Sequence, residues 1–520
     1  MTTPHARLWE QVELNFTSQR DDDNPYTALE PWVDFTHESG QVLRRPMFWD
    51  GGATWRVRFA PTLEGQWRWR SDCKPDDAGL AGQTGSLTCQ GRDTSDPFLA
   101  HGFWRMSPKS RNVVHADGRA ALIVADTPWA LPWRSTAEQC RVYAEDRARK
   151  GFNAALLMTI QPDRDATGPR SRTEDLGFDV GFEDLPEARL TRMNVEYFQT
   201  FDERVDTLLA HGIVPIYQPV FHGYGWKGRR AAGHAITPED YARYCRFLVA
   251  RYGARPAIWL IGGDGDGYAP AICPAGREVE KWDAYRQPAG MHYCPHAQYR
   301  AYQEEAWLDF QWCQTGHTGL HQPERVATMW RNDPPKGVAN GEPTYENIGE
   351  TGKATGWWQG HEAWLNLCAG GTMGVFYGAG SLWQWRLSPS EPDHAQWCFA
   401  PDAGWREALN FKGSNYVGIV GKILSRYDFT DMYPNWWYTL GGRCLAVDGR
   451  FLLMYLERGG GAQIVKGPDI VPPHYTVYDP RTGDPLRRGT LEKQPGHFNV
   501  DNSGEPRVVV FAHEPGGGGS

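Results

Sequence analysis

The first apolar positions of the chain fall in short alternating runs, WVDFTH, TWRVRFA, GQWRWRS and GSLTCQ, with Gly, Pro and Asp clusters between them. Alternation is the period of a half-buried strand. No helical period interrupts it, so residues 1–110 predict an N-terminal β-sandwich. FAPTLEGQWRWRS reads there as two strands joined by a turn at Glu64-Gly65. From about Ala120 the pattern changes. AALIVAD is an apolar strand, and Ser135-Thr136-Ala137-Glu138 opens a capped helix that runs to Lys150 and stops at Gly151. FNAALLMTI, IVPIYQPVF and PAIWLIGGD follow as strands, separated by the helical segments NVEYFQTFDERVDTLLAHG and TPEDYARYCRFLVARYGA. Near-continuous apolar strands alternating with amphipathic helices predict a parallel sheet covered on both faces.

Further strands are expected at GMHYCP, LDFQWCQTGH, KGVANGEP and GTMGVFYGAGSLW. Helices are expected at YRAYQEEAW, PERVATMWRN and WWQGHEAWLNLCAG, with a closing helix from Trp405 to Ile423. Eight β/α units over residues 111–428 predict a (β/α)8 TIM barrel. Past Asp431 the alternation returns. CLAVDGRFLLMYLER carries an Asp448-Gly449 hairpin turn, HYTVYDPRTGD and RVVVFAH add strands, and residues 429–515 predict a C-terminal β-sandwich. Residues 516–520 read as a Gly/Ser tail. The expected fold class is thus multidomain α/β plus β.

Composition narrows the function. A chain of 520 residues exceeds one hydrophobic core. A net charge of −9 argues against a nucleic-acid partner, whose phosphates call for basic patches. No apolar run approaches the ~18 residues of a membrane span. The start, MTTPHARLWEQVEL, has no basic region ahead of an apolar run, and the ten cysteines show no disulfide-framework spacing, so a cytoplasmic protein is expected. Most of the 24 tryptophans are expected in the core, but this excess without a nucleic-acid signature leans towards carbohydrate, whose C–H faces stack on aromatic rings.

A barrel's active site lies at the C-terminal ends of its strands. Those ends supply Asp126 and Trp129, Gln161, Gln218 and His222, Asp264, Tyr293 and His296, His317, Glu342 and Tyr345, and Tyr377 and Trp383. Asp264, after AIWLIGG, and Glu342, after GVANG, stand out as a pair across the mouth. Glycoside hydrolysis uses two such carboxylates, ~5–5.5 Å apart in retaining enzymes. Asp266 and Glu346 are the local rivals, with Glu346 expected to orient its neighbours. The other strand-end residues are candidates for binding sugar hydroxyls or faces, although Asp126 fits a loop cap equally well. His292, Cys294 and His296 in HYCPH superficially suggest zinc, but no second ligand cluster accompanies them. GGDGDG lacks the position-12 Glu of a calcium loop, and neither a GxSxG elbow nor a P-loop occurs. No metal or cofactor is expected.

At these residues the sequence resembles the apiosidase-like glycoside hydrolases. ADTPWAL, EDRARKGFNAALL, IWLIGGD, WLDFQWCQTGH, GEPTYE and GVFYGAGSLWQW carry the resemblance, in the family's order, over residues 110 to 425. The N-terminal segment is similar to the β-sandwich that often precedes this barrel, and the C-terminal segment to a small sandwich given a collagen-binding label in relatives. The resemblance implies Asp264 as general acid/base, Glu342 as nucleophile, and retaining, exo-acting hydrolysis of a terminal sugar from an oligosaccharide or glycoside. The loops GDGYAPAICPAG and HGYGWKG depart from the family, so apiose is not carried over as the substrate. A non-catalytic carbohydrate-binding protein would keep the aromatics without needing the acid pair, and an adhesion role fits the barrel poorly. An inverting hydrolase or a transglycosylase on the same scaffold stays open.

Overall fold

A computed structural model describes residues 5–165, 179–223, 231–265, 267–295, 300–317, 319–348, 355–390 and 402–513. Its centre is an eight-stranded parallel barrel. The strands are β1 (Ile123–Asp126), β2 (Ala154–Met158), β3 (Val214–Gln218), β4 (Ile258–Gly265), β5 (Ala289–Tyr293), β6 (Phe310–Gln314), β7 (Gly337–Glu342) and β8 (Gly374–Tyr377). They pair in sequence order, with β8 returning to β1. The β7–β8 seam is bridged where the Met373 amide donates to the Val338 carbonyl at 3.1 Å. Every residue of these strands is buried, which is why they read as unbroken apolar runs rather than as alternation.

The covering helices are α1 (Ala137–Lys150), α2 (Val195–Ala210), α3 (Pro238–Tyr252), α4 (Ile272–Trp282), α5 (Pro323–Trp330), α6 (Trp357–Cys368) and α7 (Lys412–Leu424). A capping box of Thr136 and Gln139 opens α1. Two expectations need correction. The helix expected at YRAYQEEAW is a series of turns over its described residues, and α4 was not foreseen. Pro274 and Gly276 look like breakers, but Pro274 lies in the first turn, where its missing N–H costs nothing. Gly276 is small because the Trp307 ring packs on it; a Cβ there would sit 2.2 Å from the indole. The closing helix is also broken, into Trp405–Ala408 and α7.

The N-terminal region packs a five-stranded sheet on a three-stranded one. The strands Thr54–Phe59 and Gly65–Lys74 lie in opposite sheets, so Glu64-Gly65 joins the two layers rather than making a hairpin. Phe59 stacks on Phe35 across the layers, with ring centroids 3.9 Å apart. Charges tie this region to the barrel. Arg251 of α3 contacts Asp50 at 3.0 Å and Asp202 of α2 at 2.9 Å, and Arg58 reaches the same Asp202 at 2.8 Å. The C-terminal region pairs a six-stranded sheet with a three-stranded one, and the strands flanking Asp448-Gly449 form the expected antiparallel pair. It docks on α6 through a Tyr455–His361 hydrogen bond of 2.6 Å. Among the described residues no helix is long and apolar enough to cross a membrane.

Candidate active site

Asp264 and Glu342 both sit where a strand loses its regular register. The β4–β5 pairing shifts between Leu260 and Gly262 and again between Gly262 and Gly265, and the β6–β7 pairing shifts where Gln314 meets Glu342. Such bulges re-aim side chains at barrel rims. Asp264 adopts a left-handed backbone, φ 56°, which few side chains other than Asp and Asn tolerate. The preceding Gly263 leaves room for a side chain: a Cβ there would lie 2.4 Å from the Gln218 amide carbon.

The two bulges bring the acids together. A carboxylate oxygen of Asp264, one of Glu342 and a ring nitrogen of His292 all lie within 4.8 Å of one another, and all three residues are buried. His292 links the pair. Its Nδ1 accepts the Asp264 amide at 3.2 Å, which leaves the ring proton on Nε2, and Nε2 faces Glu342 Oε2 at 3.7 Å. On the other oxygen, His317 Nε2 donates to Glu342 Oε1 at 3.2 Å, while His317 Nδ1 accepts the Tyr345 amide at 3.2 Å. The Tyr345 hydroxyl also bonds Glu342 and accepts from Trp129 Nε1 at 2.9 Å.

These donors decide the charge state of Glu342. Burial pushes its carboxyl up, but the His317 hydrogen bond, the nearby imidazoles and the Tyr345 hydroxyl outweigh burial and hold it below its ordinary 4.5. Burial brings His292 down to about 4, so it stands as a neutral imidazole whose Nε2 faces Glu342 at 3.7 Å without a hydrogen bond. Asp264, His292 and Glu342 are the cluster among the described residues whose donor atoms approach metal-ligand spacing. The proton on His292 Nε2 opposes that use, because a metal-bound imidazole needs a bare nitrogen there and its other nitrogen is already taken by the Asp264 amide.

The remaining sequence candidates divide. Trp129, His317 and Tyr345 join the pair directly, with the Trp129 ring 5.8 Å from His292. Gln218 is fully buried beside Gly263, and neither its amide oxygen nor its nitrogen has a hydrogen-bond partner. His222 bonds the Gly263 carbonyl through its own amide at 3.0 Å, and its ring packs by His234 and Tyr241. Trp383 is part-exposed and packs on Tyr345 and Ile348.

Four candidates point elsewhere. Asp126 turns outward to α1, where Arg147 contacts it at 2.6 Å and Tyr143 donates at 3.1 Å, while the Thr127 amide occupies its other oxygen. A strand four residues long left its facing ambiguous in sequence. Tyr377 likewise faces the helices and donates to Glu346 at 2.7 Å. Gln161 pins the 179–181 segment, accepting the Gly181 amide at 3.2 Å. Tyr293 donates to the Ala301 carbonyl at 2.7 Å. Glu346 is structural: besides Tyr377 it accepts the amides of Gly356 at 2.7 Å and Gly413 at 3.0 Å, anchoring the start of α7. His296 and Asp266 lie outside the described residues.

Sequence reasoning missed the placement of His292, which it weighed as part of a zinc cluster, and of Glu362. The latter lies fully buried on α6, and burial pushes it up to about 8. It accepts from the Thr344 amide at 3.2 Å and from the Thr315 and Thr344 hydroxyls. In sequence it is one acid on an amphipathic helix, with nothing to show that it faces inward.

A (β/α)8 barrel whose mouth holds two carboxylates this close is the architecture of a glycoside hydrolase. The chain belongs to the apiosidase-like family, whose catalytic-domain model matches residues 107–431. A domain of unknown function, DUF5060, matches residues 5–74. A search of curated proteins finds no match. Among solved structures, a chain from Bacteroides vulgatus assigned provisionally to the glycoside hydrolases is 18% identical, with a TM-score of 0.73 over 98% of this chain and 100% of its own. A family 5 glycoside hydrolase from Bacteroides vulgatus is 19% identical, with a TM-score of 0.66 over 80% of this chain and 94% of its own. Another glycoside hydrolase, also 19% identical, has a TM-score of 0.67 over 81% and 99%. At these identities the likeness bears on the fold.

Proposed function

We propose that Asp264 and Glu342 are the catalytic pair of a retaining, exo-acting glycoside hydrolase that releases a terminal sugar from an oligosaccharide or glycoside. The observation that carries the reading is that one oxygen of each carboxylate comes within 4.8 Å of the other, which brings the two groups close together. Retaining pairs sit at ~5–5.5 Å, whereas inverting pairs need ~6.5–9.5 Å to admit a water between acid and sugar. Glu342, held ionised by its donors, attacks the anomeric carbon as the bond to the leaving oxygen breaks. Asp264 protonates that oxygen. In the second step Asp264 takes a proton from water, which displaces Glu342 and frees the sugar with its configuration retained. His317, His292 and Tyr345 orient the nucleophile, and the Gln218 amide is free to take a sugar hydroxyl. Trp383, part-exposed beside Tyr345, is placed to meet the sugar. Exo action rests on family membership.

The test is a screen of aryl glycosides, furanosides included, followed by NMR of the first-formed sugar from the best substrate. Release of the anomer matching the substrate is expected. Initial appearance of the opposite anomer would overturn the retaining assignment.

A further inference from the structure

The six-stranded sheet of the C-terminal region has two unlike faces. Tyr475, Val477, Val509 and Phe511 point inward and pack with Phe498. On the other face His474 lies opposite Thr490, and Thr476 lies between Arg488 and Val510. Together with Arg426 and Tyr427, which follow α7, this face lines a groove of about 570 Å3. Among the described residues no carboxylate lines it, although the chain as a whole carries a net charge of −9. The Arg426 guanidinium lies 5.2 Å from the centre of the Tyr478 ring, and Tyr478 is itself fixed by a 2.5 Å hydroxyl contact with Tyr427. Among the described residues no carboxylate pairs with Arg426 or Arg488, in contrast to the neighbouring Arg450, which contacts Asp428 at 2.8 Å.

We infer that this groove is an accessory site for an acidic saccharide, remote from the catalytic mouth. An arginine laid on an aromatic ring keeps its in-plane N–H groups free, and those match a carboxylate in a two-bond fork. Arg488 and the Thr476 and Thr490 hydroxyls supply the spaced donors that a uronate-bearing chain presents partners for. Because a barrel helix runs from the mouth to the floor, residues just past the end of α7 lie on the floor side. The groove therefore tethers a polymer and does not present the bond to be cut. The choice of a saccharide over other polyanions rests on the proposed glycoside hydrolase activity.

The experiment is calorimetric titration of the full chain with acidic oligosaccharides (cellouronate, oligogalacturonate and oligomannuronate hexamers), each against its neutral counterpart. Inorganic sulfate and a single-stranded DNA oligomer are run alongside. At least one acidic hexamer is expected to bind, its neutral counterpart not, and the Arg426→Gln/Arg488→Gln variant to lose about tenfold or more in affinity. Thr490→Glu, which places a carboxylate in the groove, is expected to lose binding as well. Turnover of an aryl glycoside should be unchanged in both variants. Failure of every acidic hexamer to bind, equal binding by the arginine variant, equal binding of neutral chains, or tighter binding of DNA would overturn the inference. Acidic-hexamer binding in a protein that cleaves no glycoside would sustain the groove and count against the proposed catalysis, so the two readings fail separately.

Discussion

Replacing His317 with phenylalanine isolates what holds Glu342 ionised. The ring contact with Tyr345, 4.4 Å between centroids, is kept, while the 3.2 Å hydrogen bond to Glu342 Oε1 is lost. A hydrogen bond to a charged group is worth about 1.5–3 kcal/mol, roughly ten- to a hundredfold in the balance between ionised and protonated carboxyl, so the change should raise the Glu342 pKa. The sign follows from the balance at this carboxyl. It now sits below 4.5 because donors outweigh burial; with the principal donor gone, burial prevails. An ionised nucleophile is required, so activity is lost as pH falls through that pKa. The acid limb of kcat/KM should move to higher pH, and the variant should be hurt far more near pH 5 than near pH 8. A dinitrophenyl glycoside is the substrate of choice, because its leaving group needs no proton from Asp264. Since the Tyr345 amide also loses its acceptor, a thermal melt must accompany the profile. A uniform loss at every pH with an unmoved acid limb would refute the reasoning.

Glu362, pushed up to about 8 by burial, stays protonated in the folded chain while the unfolded chain ionises near 4.5. Stability should therefore fall as pH rises across that window, and Glu362→Gln should melt higher than the parent by a margin that widens from pH 5 to pH 8; a constant margin would contradict this. Gly223→Ala places a Cβ 1.9 Å from Asp264 Oδ2, so it should displace that carboxylate and cut turnover of alkyl glycosides by about 10²-fold or more with little change in melting temperature. Full activity in that variant would remove Asp264 from the mechanism. Dialysis against a chelator should leave activity intact; loss that zinc restores would turn Asp264, His292 and Glu342 into a metal centre.

The barrel was legible because parallel strands buried on both faces are plain apolar runs and their helices carry clean caps, as at Thr136. What hid was tertiary in origin. The helix α4 is concealed by Pro274 and Gly276, and Gly276 makes sense only once Trp307 is seen against it. The catalytic candidates were visible as acids following glycine at strand ends, but the bulges that turn them toward each other depend on the register of neighbouring strands. Asp126 and Tyr377 show the converse limit. Both end strands as Asp264 and Glu342 do, yet they face the helix layer, and strands of four residues with every position buried carry no alternation to reveal it. His292 was seen for its spacing in HYCPH, whereas its place between the two acids is set by β5 lying next to β4.

The central claim is that Glu342 is the nucleophile, and turnover by Glu342→Ala with and without azide tests it most directly. The variant should fold, show no measurable hydrolysis of any glycoside the parent cleaves, and with a good leaving group regain turnover on adding azide, releasing a glycosyl azide of inverted configuration because the small anion fills the vacated space. Near-parent hydrolysis by Glu342→Ala without azide would contradict the account.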